Sequence, residues 1–397
     1  MDFVASKGKE MVETKNLIGR YGLPKEIKRC TRCVVSNQRP RITFDEHGVC
    51  SACRYAEQKH NTINWESRWN ELEVLCDKYR KSDGSYDVLV PCSGGKDGTM
   101  VAWIMKEKLG MNPLCVTWAP HLFTDIGFRN LQNFIASGFD HIMISADGQV
   151  HRKLTKIAFE EMGDPFQPFI FGQYSAPFRV ANQYDIKMVM YGEDGEVEYG
   201  GSMETANRAS VPWEEFVKNR WSSLHPERFE KAGITKKDLQ RYTLSETEIQ
   251  EMREKDVNQY FMSYFRKWVP QENYYIAAEK SGFQANELGR SEGTYSKYAS
   301  LDDKLDGFHY YLMFIKFGFG RCTSDAAHEI RDGHITREEG LALVKKFDGE
   351  FPDHYYREFL EYCGMTDEEF WKVIDTWRSP HIWETRNGEW TLKEELR

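Results

Sequence analysis

Between Asp87 and Ser145 the chain alternates short apolar runs with longer amphipathic stretches, and this alternation does most to restrict its fold. Asp87–Pro91, Pro113–Trp118 and His141–Ser145 read as strands, with helices over Gly98–Leu109 and Asp125–Ser137 between them. Strands joined through helices return by right-handed crossovers into a parallel sheet, which predicts an α/β core. Ile186–Tyr191 is a further buried-strand candidate and ends at Gly192. Ligands of such sheets bind beyond the carboxyl ends of the strands, so the active site is expected where the Ser93 loop and the Gly192 segment meet.

The first strand runs into Pro91-Cys-Ser-Gly-Gly-Lys-Asp-Gly98 and then a helix. Bare backbone amides, the Ser93 hydroxyl and the Lys96 ammonium at a helix N-terminus make an anion-binding site. The segment lacks the four-residue spacing of a Walker A loop, so a simple γ-phosphate hydrolase is not indicated.

Two Cys-x-x-Cys pairs precede this core: Cys30 with Cys33, and Cys50 with Cys53, sixteen residues separating the pairs. Each pair can close on one metal from a tight turn, and four thiolates leave Zn²⁺ no open position, which predicts a structural zinc ribbon. Within it, Arg41–Phe44 is a short β-prone segment between Pro40 and Gly48. Cys76, Cys92, Cys115, Cys322 and Cys363 are scattered, which suits a reducing compartment without disulfides. Lys7, Lys9, Glu10, Glu13 and Lys15 leave no apolar core for a signal peptide, and Phe308–Phe319 is broken by His309 and Lys316. A cytoplasmic protein without a membrane span is expected. With 53 basic and 62 acidic residues, a net charge of −9, the surface as a whole does not advertise a nucleic-acid ligand.

Trp65–Lys81 carries apolar residues at helical spacing. Ser245 with Glu248, Thr336 with Glu339 and Thr366 with Glu369 are capping boxes, so the second half is expected to be mostly helical. The aromatic runs Tyr260–Phe265 and Phe308–Tyr311 read as helix core and are assigned no chemistry. The carboxylates Glu193, Asp194, Glu196 and Glu198 after the Ile186–Tyr191 run could hold Mg²⁺ or a cationic group, a solvated acidic loop being the alternative. Arg321 and Asp325 could serve a phosphate or a sugar, or form a helix-start surface pair. The expected division is an extension over 1–29, a zinc ribbon over 30–60, an α/β domain carrying the Ser93 loop over 61–205 and a helical region over 206–397.

Ser93-Gly-Gly-Lys-Asp97 resembles the PP-loop of the ATP pyrophosphatases, which cleave ATP between the α and β phosphates and transfer AMP to a substrate oxygen. The resemblance implies that Ser93, Gly94, Gly95 and Gly98 line the pyrophosphate, Lys96 neutralises its developing charge, and Asp97 orients the loop or Mg²⁺. Gly98 stands where that pattern usually has Ser, so Thr99 or a backbone amide is expected to take the hydroxyl's place. Taken in order, the cysteine knuckle, Ser93–Gly98, Gly192–Gly201 and Gly320–Gly333 resemble the N-acetyl sugar amidotransferases of bacterial surface polysaccharides, including lipopolysaccharide O-antigen. That resemblance implies an enzyme using ATP, Mg²⁺ and Zn²⁺ that converts the acetamido group of a nucleotide-activated N-acetyl sugar to an acetamidino group. Lys96, Asp97, Glu193 and Arg321 are then the candidate catalytic residues. It also implies ammonia as nitrogen donor, supplied by glutaminase and cyclase-like subunits related to imidazole glycerol phosphate synthase. A PP-loop tRNA thiolase and a non-catalytic, ATP-responsive assembly subunit are the rival readings.

Overall fold

The computed structural model describes residues 13–221, 229–230 and 232–393, so the first twelve residues of the expected N-terminal extension lie outside the described residues. Five strands make one parallel sheet: β1 Val88–Pro91, β2 Pro113–Trp118, β3 Asp140–Ile144, β4 Met188–Tyr191 and β5 Asn258–Phe261, in the order β3-β2-β1-β4-β5. The expected α/β class, the four-cysteine element before it and the mostly helical C-terminal region are all present.

Side chains alternate across this sheet. Val88, Val90, Cys115, Met188 and Met190 pack on one face against Met100, Val101 and Phe134. Leu89, Leu114, Val116 and Val189 pack on the other against Phe169, Phe178 and Ala181 of the Gln167–Gln183 helix. With apolar layers on both sides, each buried Val, Leu, Met or Phe side chain contributes about 1.5–3 kcal/mol.

β5 corrects two expectations. Asn258–Phe261 is not the start of an aromatic helix: it pairs with the open edge of β4, and only Met262–Phe265 forms a helical turn. A buried hydrogen bond between the Tyr79 and Tyr260 hydroxyls, 3.0 Å, fixes the strand from behind, so tertiary pairing overrides the local pattern. The sheet therefore extends beyond residue 205, the expected end of the α/β domain. Arg41–Phe44 is not a strand either. Only an isolated bridge links Phe44 to Cys50, and Arg41 adopts φ 67°, a left-handed turn conformation incompatible with extended pairing.

All three capping boxes form with both reciprocal bonds. The helix Ser51–Asn61, which starts between the second cysteine pair, and the hairpin β6 Trp383–Arg386 and β7 Glu389–Leu392 were not foreseen. The hairpin turns at Asn387-Gly388, both at positive φ, as a two-residue primed turn requires.

The knuckle docks on the C-terminal region. Its cysteines and Val34 share a core with Cys322, Ala326, Ala327 and Val344. Arg337 donates to the Cys33 carbonyl at 3.2 Å and the Cys30 carbonyl at 3.3 Å, and His381 Nε2 meets Gln38 Oε1 at 3.0 Å. Among the described residues no helix is long and apolar enough to cross a membrane.

Candidate active site

β1 ends at Pro91, and Gly94 turns the chain at φ +82°. A Cβ on Gly94 would lie 2.5 Å from Leu131 Cα, so only glycine permits this approach. The helix then starts at Lys96, two residues earlier than expected, with Gly95 as an N-cap that offers no side-chain acceptor. Its first amides are left for an anion. Lys96 Nζ is bonded to Asp97 Oδ2 and lies 5.5 Å from the centre of the Tyr298 ring, while Asn273 Nδ2 donates to Asp97 Oδ1 at 2.9 Å.

This loop is one wall of a cavity of about 550 Å³, a size suited to a small-molecule ligand. The sequence-predicted residues Ser93, Gly94, Gly95, Lys96, Asp97, Gly98, Glu193 and Arg321 all line it. Thr99 does not. Its side chain is fully buried, with Oγ1 3.9 Å from Cys92 Sγ, because it sits on the helix face turned into the core.

The acidic run after β4 is not a shared cation site. Gly195–Tyr199 winds into a helical turn, so successive carboxylates point in different directions. Asp194 caps that turn and accepts a hydrogen bond from Thr205 Oγ1 at 2.5 Å. Glu196 is held by both ends of the Arg41 guanidinium. Glu198 is buried 3.2 Å from Lys59 Nζ. Only Glu193 faces the cavity, where burial and then the Asp97 carboxylate raise its pKa to about 8. Arg321 Nε donates to Asp325 at 3.0 Å, and Arg321 also bonds the Tyr310 hydroxyl, so Asp325 holds the arginine from behind.

Several lining residues carried no sequence signal. Asp302 faces Ser93, and burial, reinforced by Asp306, raises its pKa. His309 Nδ1 lies 2.8 Å from Asp164. Burial opposes its charge, yet this carboxylate keeps its pKa above the usual value. Arg39 enters from the knuckle and stacks near Tyr199. Tyr310, read from the sequence as helix core, also lines the cavity.

The four knuckle sulfurs all lie within 4.8 Å of one another, with Cys30–Cys53 and Cys33–Cys50 at 3.8 Å. A tetrahedral ion with bonds of about 2.3 Å to sulfur has sulfur–sulfur edges of about 3.8 Å, so the set fits a metal of zinc's size and preference. Backbone amides of Arg32, Cys33 and Cys50 point at Cys30 Sγ at 3.3–3.5 Å.

The wall opposite the phosphate loop, with Tyr298, Asp302, His309, Tyr310 and Arg321, comes from one contiguous part of the chain. Residues 292–397 match the LPS biosynthesis protein WbpG-like, C-terminal domain family. The WbpG-like segment thus supplies the residues that face the loop. The uncharacterized protein MJ1599 of Methanocaldococcus jannaschii is 30% identical over 89 residues, a match covering 22% of this chain and 31% of that protein's length. Similar solved structures include the NH3-dependent NAD synthetase of Campylobacter jejuni, 14% identical, covering 49% of this chain and 94% of that one at a TM-score of 0.29. The NMN synthetase of Francisella tularensis is 13% identical, with 49% and 93% covered and a TM-score of 0.28. The U34-tRNA thiolase NcsA of Methanococcus maripaludis, solved with its 4Fe-4S cluster, is 11% identical, with 81% and 89% covered and a TM-score of 0.30.

Proposed function

We propose that this chain is an ATP-dependent, AMP-forming N-acetyl sugar amidotransferase of lipopolysaccharide O-antigen synthesis, acting in the cytoplasm. One observation carries this reading: the phosphate loop and the WbpG-like segment are two walls of a single cavity.

The chemistry follows from the amide. Resonance makes its carbon resistant to ammonia, so the oxygen must first become a leaving group. The acetamido oxygen attacks the α-phosphorus of ATP and the α–β bridge breaks, with pyrophosphate departing toward the loop amides and Lys96. Ammonia then adds to the adenylated carbon, loses a proton, and the carbon–oxygen bond breaks to release AMP and leave the acetamidino group. Fixed donors aimed at the departing phosphates are worth most in such a partly enclosed site. Asp97 and Glu193, two carboxyls whose charges repel, would hold Mg²⁺, which when bound would offset phosphate charge. The knuckle cysteines would hold Zn²⁺ as a structural ion.

The ammonia must come from elsewhere. All five cysteines outside the knuckle are buried. Burial raises even the Cys92 thiol at the cavity to about 12, so it offers no ready thiolate. This supports supply by partner glutaminase and cyclase-like subunits. Gly98 is no mark of a dead loop, since packing against Cys92 accounts for its lack of a side chain.

The test combines ATP, Mg²⁺, ¹⁵N-ammonium and a panel of nucleotide-linked N-acetyl sugars, read by mass spectrometry. Label uptake with AMP and pyrophosphate formation is expected. No uptake, with ATP consumed on a tRNA substrate instead, would replace this reading with the thiolase one.

A further inference from the structure

Cations at and beside this cavity are matched to carboxylates. Lys96 pairs with Asp97, Arg321 with Asp325, and Arg41 with Glu196. Arg39 is the exception: among the described residues its guanidinium has no ion pair and no hydrogen bond, only the Tyr199 ring at 5.6 Å and the Phe319 ring at 5.9 Å. It is half-buried and lines the cavity. Taking a guanidinium out of water without a bonded counter-ion is unfavourable, and burial lowers its pKa to about 10 although the nearby Glu196 charge opposes this.

The position is nonetheless built. Gln38, fully buried, donates to the Pro24 carbonyl at 3.1 Å and meets His381. Pro40 follows, and Arg41, in its left-handed conformation, is tied to Glu196. The knuckle as a whole closes on the helical turn that carries Tyr199. Ser51 Oγ donates to the Gly200 carbonyl at 3.4 Å, and a Cβ on Gly200 would lie 3.1 Å from Ala52. An arginine held on both sides, stacked on aromatic faces and bonded to no carboxylate, with the Arg41-bound Glu196 acting on it only through space, suits bidentate recognition of an oxyanion.

We infer that Arg39 forms a second anion subsite, separate from the ATP loop, that binds the acidic handle of the sugar substrate. The inference rests on the amidotransferase reading for the identity of that substrate. The handle is an oxyanion, either the diphosphate linking sugar to nucleoside or a carboxylate on the sugar ring.

The metal-loaded, full-length protein, saturated with α,β-methylene-ATP to fill the loop, is titrated calorimetrically with uridine diphosphate and, separately, with glucuronate. Binding of either is expected, and the one that binds identifies the handle. Arg39→Ala should weaken that ligand about tenfold or more, on the scale of a lost charge-assisted contact, while the ATP analogue binds as before. Arg39→Lys should recover part of the loss. Unchanged analogue affinity and metal content show that the variant has folded. Wild-type affinity in Arg39→Ala, parallel loss of the analogue, or no binding of either probe to the wild type would overturn the subsite. Failure of the ¹⁵N experiment with the Arg39-dependent binding intact would overturn the reaction and leave the subsite standing.

Discussion

Gly98 stands so close to Cys92 that a Cβ on the glycine would lie 2.9 Å from Cys92 Cα and equally close to the Pro91 carbonyl oxygen. Both neighbours are backbone at the end of β1 and have no slack. Gly98→Ser, which restores the residue usual in the PP-loop pattern, is therefore expected to destabilise the fold by about 1–3 kcal/mol, as overpacking does. Denaturant titration measures this. A serine variant as stable as the wild type would mean that the loop packs differently.

Lys96 meets the cavity at the helix start, where in the proposed reaction the departing pyrophosphate would gather charge. Lys96→Ala should lower ATP turnover by about 10²-fold, the scale of removing one preorganised charge stabiliser. Chromatography of the wild-type products should give AMP and pyrophosphate; ADP and phosphate would rule out the proposed chemistry.

The knuckle sulfurs are spaced for one ion. Elemental analysis should find about one zinc per chain. A chelator should open residues 30–53 to proteolysis, and added zinc should restore resistance, because metal binding of this kind supplies folding energy. Resistance that persists without metal would refute the structural role.

Burial and the Asp97 carboxylate raise Glu193 to about 8, from the 4.5 ordinary for a glutamate. Its proton must leave before its oxygens can take a cation. The Mg²⁺ affinity of the ATP-loaded protein should therefore rise between about pH 6.5 and about pH 9, and Glu193→Gln should flatten the rise. The sign for stability is the opposite. The folded chain keeps a proton that the unfolded chain releases, so Glu193 lowers stability as pH climbs from 4.5 through about 8. Glu193→Gln should accordingly melt higher than the wild type at alkaline pH and not at acidic pH. A pH-independent difference would remove Glu193 from the titration.

The parts legible in the sequence were those specified over a few residues. Cys30 and Cys33 announce a metal turn by their spacing alone, Ser93–Gly98 announces an anion loop, and Thr336 with Glu339 caps a helix through bonds three residues apart. Arg39 was not legible, because its meaning depends on Tyr199 and Phe319, far along the chain. Glu196 and Glu198 misled for a geometric reason: neighbours in an acidic run look like one cluster until a helical turn aims them at Arg41 and Lys59. β5 hid because Asn258 and Gln259 weaken its strand signal, and only the edge of β4 makes it a strand.

The clasp of Arg337 on the carbonyls of Cys30 and Cys33 also bears on how the protein is made. The surface that seats the knuckle, and His381 that pins Gln38, are synthesised more than about three hundred residues after it. The metal turn can form while the chain is growing, but its docking, and with it the delivery of Arg39 into the cavity, must wait until Arg337 and His381 have been made. A nascent chain cut short before residue 337 would thus carry a phosphate loop without the arm that completes its pocket.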